Sequence, residues 1–245
     1  MDLRALARRR TTPEQRKRLR RLAQWPPVGG VRLGSLGRTR PISRTYGWER
    51  GTPIDRFYID AFLGDNESAI RGRVLEIGDD EYTRKFGKDE VTTSDVLHAG
   101  PGNPQATIVA DLADAPHIDG ERFDCVICTQ TLLLVYDVRS AVQTLHRILA
   151  PGGVLLATVP GISQIDRGEW GETWFWSFTR QSARRTFEMR FAPADVAVDQ
   201  YGNVLAAIAF LEGLAGHELE EHELAVTDPA YPVCVAVRAV KGGER

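Results

Sequence analysis

The sequence predicts an α/β fold, a mostly parallel sheet flanked by helices, and three observations carry that prediction. First, residues 73–77 form a short apolar run through Val74, Leu75 and Ile77, followed at once by Gly78. A strand covered on both faces does not alternate, and this one ends in a turn signal. Second, further short runs lie at residues 91–94, 106–110, 123–129 and 154–159, and an amphipathic helical pattern separates the last two. Strands that alternate with helices build parallel sheets. Third, Glu76 puts a carboxylate at the carboxyl end of the first strand. In open α/β sheets the crevice beyond those ends is where ligands bind.

Length and composition narrow the possibilities. At 245 residues the chain suffices for one such domain with extensions. Lys and Arg number 31 against 33 Asp and Glu, so no charge bias steers the whole molecule towards nucleic acid. Three cysteines make no disulfide framework. Cys125 and Cys128 are spaced C-x-x-C inside one strand, where that separation points them to opposite faces and argues against a metal or redox pair. No run approaches the ~20 apolar residues that span a bilayer. The basic amino terminus lacks the apolar core of a signal peptide. The expectation is a cytoplasmic protein with no membrane contact.

Along the chain, residues 1–45 read as a basic arm and linker. Nine of the residues from Arg4 to Arg21 are Arg or Lys. Thr12-Pro13-Glu14 opens a short helix that ends near Trp25-Pro26-Pro27. A solvated arm is preferred over a nucleic-acid contact, because no aromatic pattern interleaves the charges. Leu19, Leu22 and Trp25 at helical spacing suit docking on the body or on a second subunit, which allows a homodimer. Next, Thr52 is placed as an N-cap and Pro53 as the first helical residue. Ile54, Phe57, Tyr58, Ala61 and Phe62 then make an apolar stripe at helical period.

The second strand, 91–94, ends on Asp95, an acid placed to accept hydrogen bonds from ribose hydroxyls. The third strand, 106–110, leads to Asp111 and Leu112, and the fourth, 123–129, to Thr129, Gln130 and Thr131. Residues 137–149 form a helix in which His146 packs, and Pro151-Gly152-Gly153 turns into the fifth strand. Residues 161–178 break the α/β rhythm with Trp170, Trp174, Trp176 and Phe175. A helix at 179–191, capped by Thr179, precedes a closing strand pair at 196–201 and 234–240, with a helix at 203–214 between them. HELEEH at 217–222 has one residue too many for H-E-x-x-H. Five residues of helix set its histidines roughly 140° apart, so no metal is expected there.

The segments VLEIG, TTSD, FDCVICTQTL and LHRILAPGGVLLATVP together resemble class I S-adenosylmethionine-dependent methyltransferases. The resemblance covers residues 73–160, and LHRILAPGG is its most specific part. It implies a Rossmann-like, seven-stranded, mostly parallel sheet with helices on both faces and an antiparallel carboxyl-terminal strand pair, spanning residues 46–245. It also implies S-adenosyl-L-methionine as cofactor. The family pattern E-x-G-x-G-x-G reads here Glu76, Gly78, Asp80 and Tyr82, so one of three glycines is kept and the loop must follow another path. Asp79 or Asp80 then either faces the ammonium of the methionine part or belongs to a solvated turn. In relatives the leading helix caps the cofactor cleft. That sets Arg50 and Arg56 to pair with the cofactor carboxylate and Tyr46 to close over the site. Asp111 is assigned to the adenine amine and Leu112 to the ring, unless Asp111 simply caps a turn. Thr129, Gln130 and Thr131 lie by the sulfonium. Where many relatives carry an acid and a histidine, this chain has Leu133 and Leu134.

The function so implied is transfer of a methyl group to oxygen or nitrogen of a small acceptor. Asp166, Trp170, Trp174 and Trp176 are the acceptor-binding candidates, because flat aromatic walls take a ring or sugar face. A minicore under a loop would use the same residues. A hydroxyl acceptor is helped by a base, for which His98, Tyr136, Asp137 and Asp166 are candidates; an amine acceptor does without one. The likeness to methyltransferases of glycan assembly points to a sugar or secondary metabolite. Two alternatives stand beside this reading. One is a non-catalytic or repurposed binding protein of the same fold, and the other is a nucleic-acid methyltransferase steered by the basic arm.

Overall fold

Gly72–Ile77 (β1) pairs in parallel with Val91–His98 (β2) on one side and Phe123–Thr129 (β4) on the other, and this sets the centre of a seven-stranded sheet. The structure is a computed structural model that describes residues 11–168 and 170–243. It divides into two units, residues 1–41 and residues 42–245. In the first unit Pro13–Leu22 (α1) is a helix opened by a capping box between Thr12 and Gln15.

The sheet belongs to the second unit. Ile108–Val109 (β3) flanks β2, and Leu149–Pro160 (β5) flanks β4 in parallel. Cys234–Val240 (β7) then runs antiparallel between β5 and Val196–Tyr201 (β6), giving the order β3-β2-β1-β4-β5-β7-β6. The chain leaves β1 in one direction and β4 in the other, so the crevice for a ligand opens between their carboxyl ends.

Two apolar layers cover the sheet. Val138–Ile148 (α3) and Arg180–Phe187 (α4) pack Leu145, Ile148 and Phe187 on one face. Ile54–Asp65 (α2) and Val204–Glu212 (α5) pack Ile59, Phe62 and Phe210 on the other. Cys125 belongs to the second layer and Cys128 to the first, the opposite faces that their spacing dictates. Local chemistry starts the helices. Asp137 caps α3 through Ser140, Thr179 forms a capping box on α4, and the Asn203 side chain accepts from the Leu205 and Ala206 amides of α5. Gly213, at φ 73°, ends α5 in the left-handed conformation that favours glycine.

Several elements depart from the sequence reading. Strand β2 does not stop at Asp95 but continues through Val96 and Leu97 to His98. The cause is that the Asp95 charge is satisfied inside the fold, so the strand need not end to hydrate it. Thr107 Oγ1 donates to Asp95 Oδ1 at 2.7 Å, and Arg122 Nη2 donates to Oδ2 at 2.9 Å. Strand β3 is shorter than predicted, because Thr107 already spends its hydroxyl and amide on Val96, and Asp111 bridges to Asp114 in a turn. Strand β5 starts at Leu149, which pairs with Phe123, so the Pro-Gly-Gly turn lies within it. Helix α4 stops at Phe187 and α5 at Glu212. The amino-terminal boundary of α2 falls at Pro53 rather than Thr52, whose carbonyl is taken by the amide of Gly216. The HELEEH stretch is a short turn, Gly216–Glu218, followed by a separate one-turn helix, Glu221–Leu224 (α6), so the continuous helical spacing assumed for its histidines does not exist.

The Asp95–Arg122 pair yields a stability prediction. Arg122→Met leaves the buried carboxylate with one partner and is expected to cost about 2 kcal/mol, discounted because the guanidinium is partly exposed. Urea denaturation measures this; a loss below about 0.5 kcal/mol would show that water replaces the arginine freely.

Candidate functional site

The crevice is shaped by one buried acid. Glu76 is 2% exposed, on the α2 face of β1. Its Oε1 accepts from the Tyr82 amide at 3.2 Å and its Oε2 from the Thr83 amide at 2.7 Å. Those amides open a wide helical turn, Thr83–Gly87, whose first donors would otherwise be unpaired. Burial pushes the Glu76 carboxyl up to about 7, against the opposing pull of the Thr83 and Tyr82 donors. The turn also absorbs the residues that stand where glycines were expected. Tyr82 is buried in the α2-side layer, and its hydroxyl accepts from Arg56 Nη1 at 3.3 Å. Asp80 faces Arg84 at 3.1 Å, and exposed Asp79 accepts from the Glu81 amide through Oδ1.

Gly78 closes β1 with φ +102°, and nothing lies within 4 Å of where a Cβ would stand. The space beside Gly78 is therefore open to close approach of a ligand. The Gly78 amide donates to Leu97 O at 2.9 Å, and Asn103 Nδ2 donates to Gly78 O at 2.6 Å, clamping the loop after β2 onto the turn after β1. Sequence reasoning missed Asn103, because an Asn in a Gly/Pro-rich turn carries no signal of its distant partner.

The other strand ends are placed as follows. His98 rather than Asp95 occupies the tip of β2, with Nδ1 at 2.8 Å from Gly100 O. Asp111 is exposed, and its Oδ1 accepts from Ala113 N at 2.8 Å. Leu112 is buried, in the same apolar layer as Leu97 and Ala110. After β4, Gln130 adopts φ +46°, a strained backbone of the kind that clusters at ligand sites. Its amide donates to Thr158 O at 2.8 Å, while Thr131 Oγ1 donates to Thr129 O at 2.9 Å.

Residues 42–65 form the covering wall. Tyr46, itself at φ +59°, stacks on Trp174 with ring centroids 6.4 Å apart and leans on Phe210. Its hydroxyl is buried without a hydrogen-bond partner, as is Asp55 Oδ1 in the first turn of α2. Burial raises the Tyr46 phenol, and Asp166 and Asp55 add to the effect. Burial likewise raises the Asp55 carboxyl, although Arg56 opposes it. Asp55 and Arg56 also act on Cys234, which pairs with Pro160 at the end of β5. This wall therefore reaches from the Tyr82 turn to the β5–β7 edge. Asp55 escaped the sequence reading because it lies off the apolar stripe of α2 and reads as an ordinary first-turn acid. Arg50 makes a two-pronged ion pair with Glu218, through Nε at 2.9 Å and through Nη2.

The tryptophan-rich insert divides. Trp174 joins Tyr46, whereas Trp176 donates from Nε1 to Val135 O at 3.0 Å and stacks on Tyr136. The amides of Phe175 and Trp176 both donate to Leu133 O, pinning the insert to the turn after β4. Trp170 is exposed, and its amide and that of Gly168 hold Asp166 Oδ2. Tyr136 is 72% exposed. Asp137 spends both carboxylate oxygens on Ser140, which holds its carboxyl below the usual range and makes it a poor base.

Residues 71–157 match the family model described as a methyltransferase domain. No curated protein sequence matches the chain. Among solved structures, a methyltransferase dependent on S-adenosylmethionine from Archaeoglobus fulgidus is similar at 13% identity and a TM-score of 0.52, over 76% of this chain and 94% of that one. The [4+2]-cyclase SpnF is similar at 14% identity and a TM-score of 0.51, over 78% of this chain and 82% of that one. These likenesses establish a shared fold.

Glu76 supplies a pH prediction. The folded carboxyl titrates near 7 against an ordinary 4.5, so the fold holds a proton that the unfolded chain has released. That contribution is whole below pH ~4.5 and is lost as pH rises through about 7. Relative to Glu76→Gln, the native protein is expected to lose about 3 kcal/mol of stability between about pH 4 and 8. Equal pH dependence of the two proteins in urea melts would contradict the buried, protonatable acid.

Proposed function

We propose that this chain, whose residues 71–157 match a methyltransferase domain, is a class I S-adenosylmethionine-dependent methyltransferase that moves a methyl group to oxygen or nitrogen of a small acceptor, a sugar or secondary metabolite. The observation that carries the reading is the buried, unpartnered pair of Tyr46 Oη and Asp55 Oδ1 on the wall over the crevice. Buried polar groups are rarely left without partners, so such a pair is a site waiting for a ligand group.

The residues present fit the cofactor. Gly78, with open space where a Cβ would stand, lets a ligand approach the backbone closely. Glu76, Gly78, Asp79, Asp111 and Arg56 are the residues that would hold it, with Thr129, Gln130 and Thr131 at its reactive end. S-adenosylmethionine supplies an electrophilic methyl group on a sulfonium. The protein then has to orient the acceptor and exclude water, which accounts for much of the acceleration in such transfers. Trp174 and Tyr46 make a flat wall for that acceptor, and the buried turn of Leu132 and Leu133 keeps the floor dry.

With a hydroxyl acceptor, Asp55 takes the proton as the new carbon–oxygen bond forms and the carbon–sulfur bond breaks. Its raised carboxyl makes it a stronger base than an exposed aspartate. Tyr46 keeps its own proton and donates a hydrogen bond that aligns the acceptor oxygen. This role passes to Asp55 because Asp137 is committed to its helix and Tyr136 faces solvent. Asp166 lies close enough to Tyr46 to raise its phenol further.

A second reading, binding without methylation, is favoured by Asp80 and Tyr82 in the places of glycines, and the [4+2]-cyclase SpnF has a similar fold. Two measurements separate the readings. S-adenosylhomocysteine is expected to bind with a micromolar Kd by calorimetry, and tritiated S-adenosylmethionine to label a member of a panel of glycosides, phenols and amines. Asp55→Asn is expected to keep that Kd within about threefold while transfer to a hydroxyl falls about 100-fold. No heat of binding up to about 1 mM ligand would remove the methyltransferase reading; unchanged transfer by the variant would remove only the assignment of the base.

A further inference from the structure

We propose that the amino-terminal unit moors the protein to an anionic lipid bilayer surface. Residues 1–41 carry 12 Lys and Arg against two Asp and Glu, whereas residues 42–245 carry 19 against 31. The modest net charge of the chain therefore conceals a unit of about +10 and one of about −12, an asymmetry that marks a binding arm.

Charge alone would suit any polyanion, and the apolar residues decide between them. Helix α1 has no buried residue. Leu19 and Leu22 sit about 60° apart around it, and Lys17, Arg18, Arg20 and Arg21 occupy the rest of the circumference. Both leucines are exposed, and beyond the helix Trp25 is 91% exposed, with Val28, Val31 and Leu33 also in water. Six large apolar side chains are thus presented within fifteen positions, next to a cluster of cations. Nucleic acid would neutralise the cations and leave this row hydrated. A bilayer interface takes both, with leucine, valine and tryptophan at the acyl boundary and the cations among lipid phosphates.

The helix is well specified yet short. Its capping box and Pro13 fix where it starts, but ten residues make a marginal helix in water unless one face is covered. A membrane surface supplies that cover. The contact is peripheral, since among the described residues no helix is long and apolar enough to cross a membrane. It departs from the expectation of no membrane contact drawn from the absence of a span, and it stands independently of the methyl-transfer reading.

Co-sedimentation of the full chain with extruded vesicles tests the inference. Vesicles containing about one third phosphatidylglycerol in phosphatidylcholine are expected to bind at least tenfold more tightly than pure phosphatidylcholine, and binding should weaken as salt is raised. Two variants, L19S/L22S/W25S and K17Q/R18Q/R20Q/R21Q, are each expected to lose about tenfold or more, with unchanged circular-dichroism melts of the sheet-bearing unit. Three results would overturn the proposal. These are no vesicle binding at low salt, full binding by the serine variant, or capture of RNA or of a second copy of the chain in place of vesicles.

Discussion

Two amide hydrogens on one buried carboxylate hold the crevice in shape. Glu76 leaves β1 on its α2-facing side, out of water, and the Tyr82 and Thr83 amides come to it. A carboxyl in that place is costly when charged, and the two donors offset part of the cost. What they secure is the path of the chain from Gly78 to Gly87. That path keeps the bulk of Tyr82 away from Gly78, beside which the space is open. The wide turn carries the Tyr82 ring into the α2-side core, where Phe86 stacks with it at 6.3 Å and Arg56 reaches its hydroxyl. The aromatic bulk that looked like an obstruction is core, and Gly78 alone keeps the open position that a close-lying ligand needs.

The wall over the crevice follows from the same layer. Helix α2 is packed by Ile54, Tyr58, Ile59, Phe62 and Leu63, and Tyr58 anchors it to α6 by donating to Leu224 O at 3.1 Å. With that face fixed, Asp55 and Arg56 lie in the first turn of α2, and Arg56 reaches the Tyr82 hydroxyl. The strap before the helix is strained at Tyr46, and the serine hydroxyl of Ser43 takes the Thr45 and Gly47 amides that hold this bend. Strain and unpartnered polar atoms thus meet on the ligand side of the molecule, as expected when structure is kept for function rather than stability.

Much of the fold was legible. Non-alternating apolar runs, the Asp137 and Thr179 caps, and the C-x-x-C spacing act locally, and β1, β4, α3 and the β6–β7 pair fall where those signals put them. The strand ends were not legible, because what fixes them is distant. Asp95 looked like a terminus until Arg122, far along the chain, neutralised it within the sheet. The same limit governed the crevice. Glu76 and Gly78 announce themselves by standing against their neighbours' chemistry. Asp55 is an ordinary acid in sequence and acquires its role only from the burial of one oxygen atom. Arg50 was set against a ligand carboxylate, and nothing local in the sequence announces its ion pair with Glu218.

The most direct test is a crystal structure of the chain grown with S-adenosylhomocysteine. It should show the ligand lying across Gly78, with the Tyr82 and Thr83 amides still on the Glu76 carboxylate and the Tyr82 ring still in the core. A ligand-free crevice, or a bound ligand whose entry has turned Glu76 and Tyr82 out of those positions, would contradict the claim that this acid builds the site.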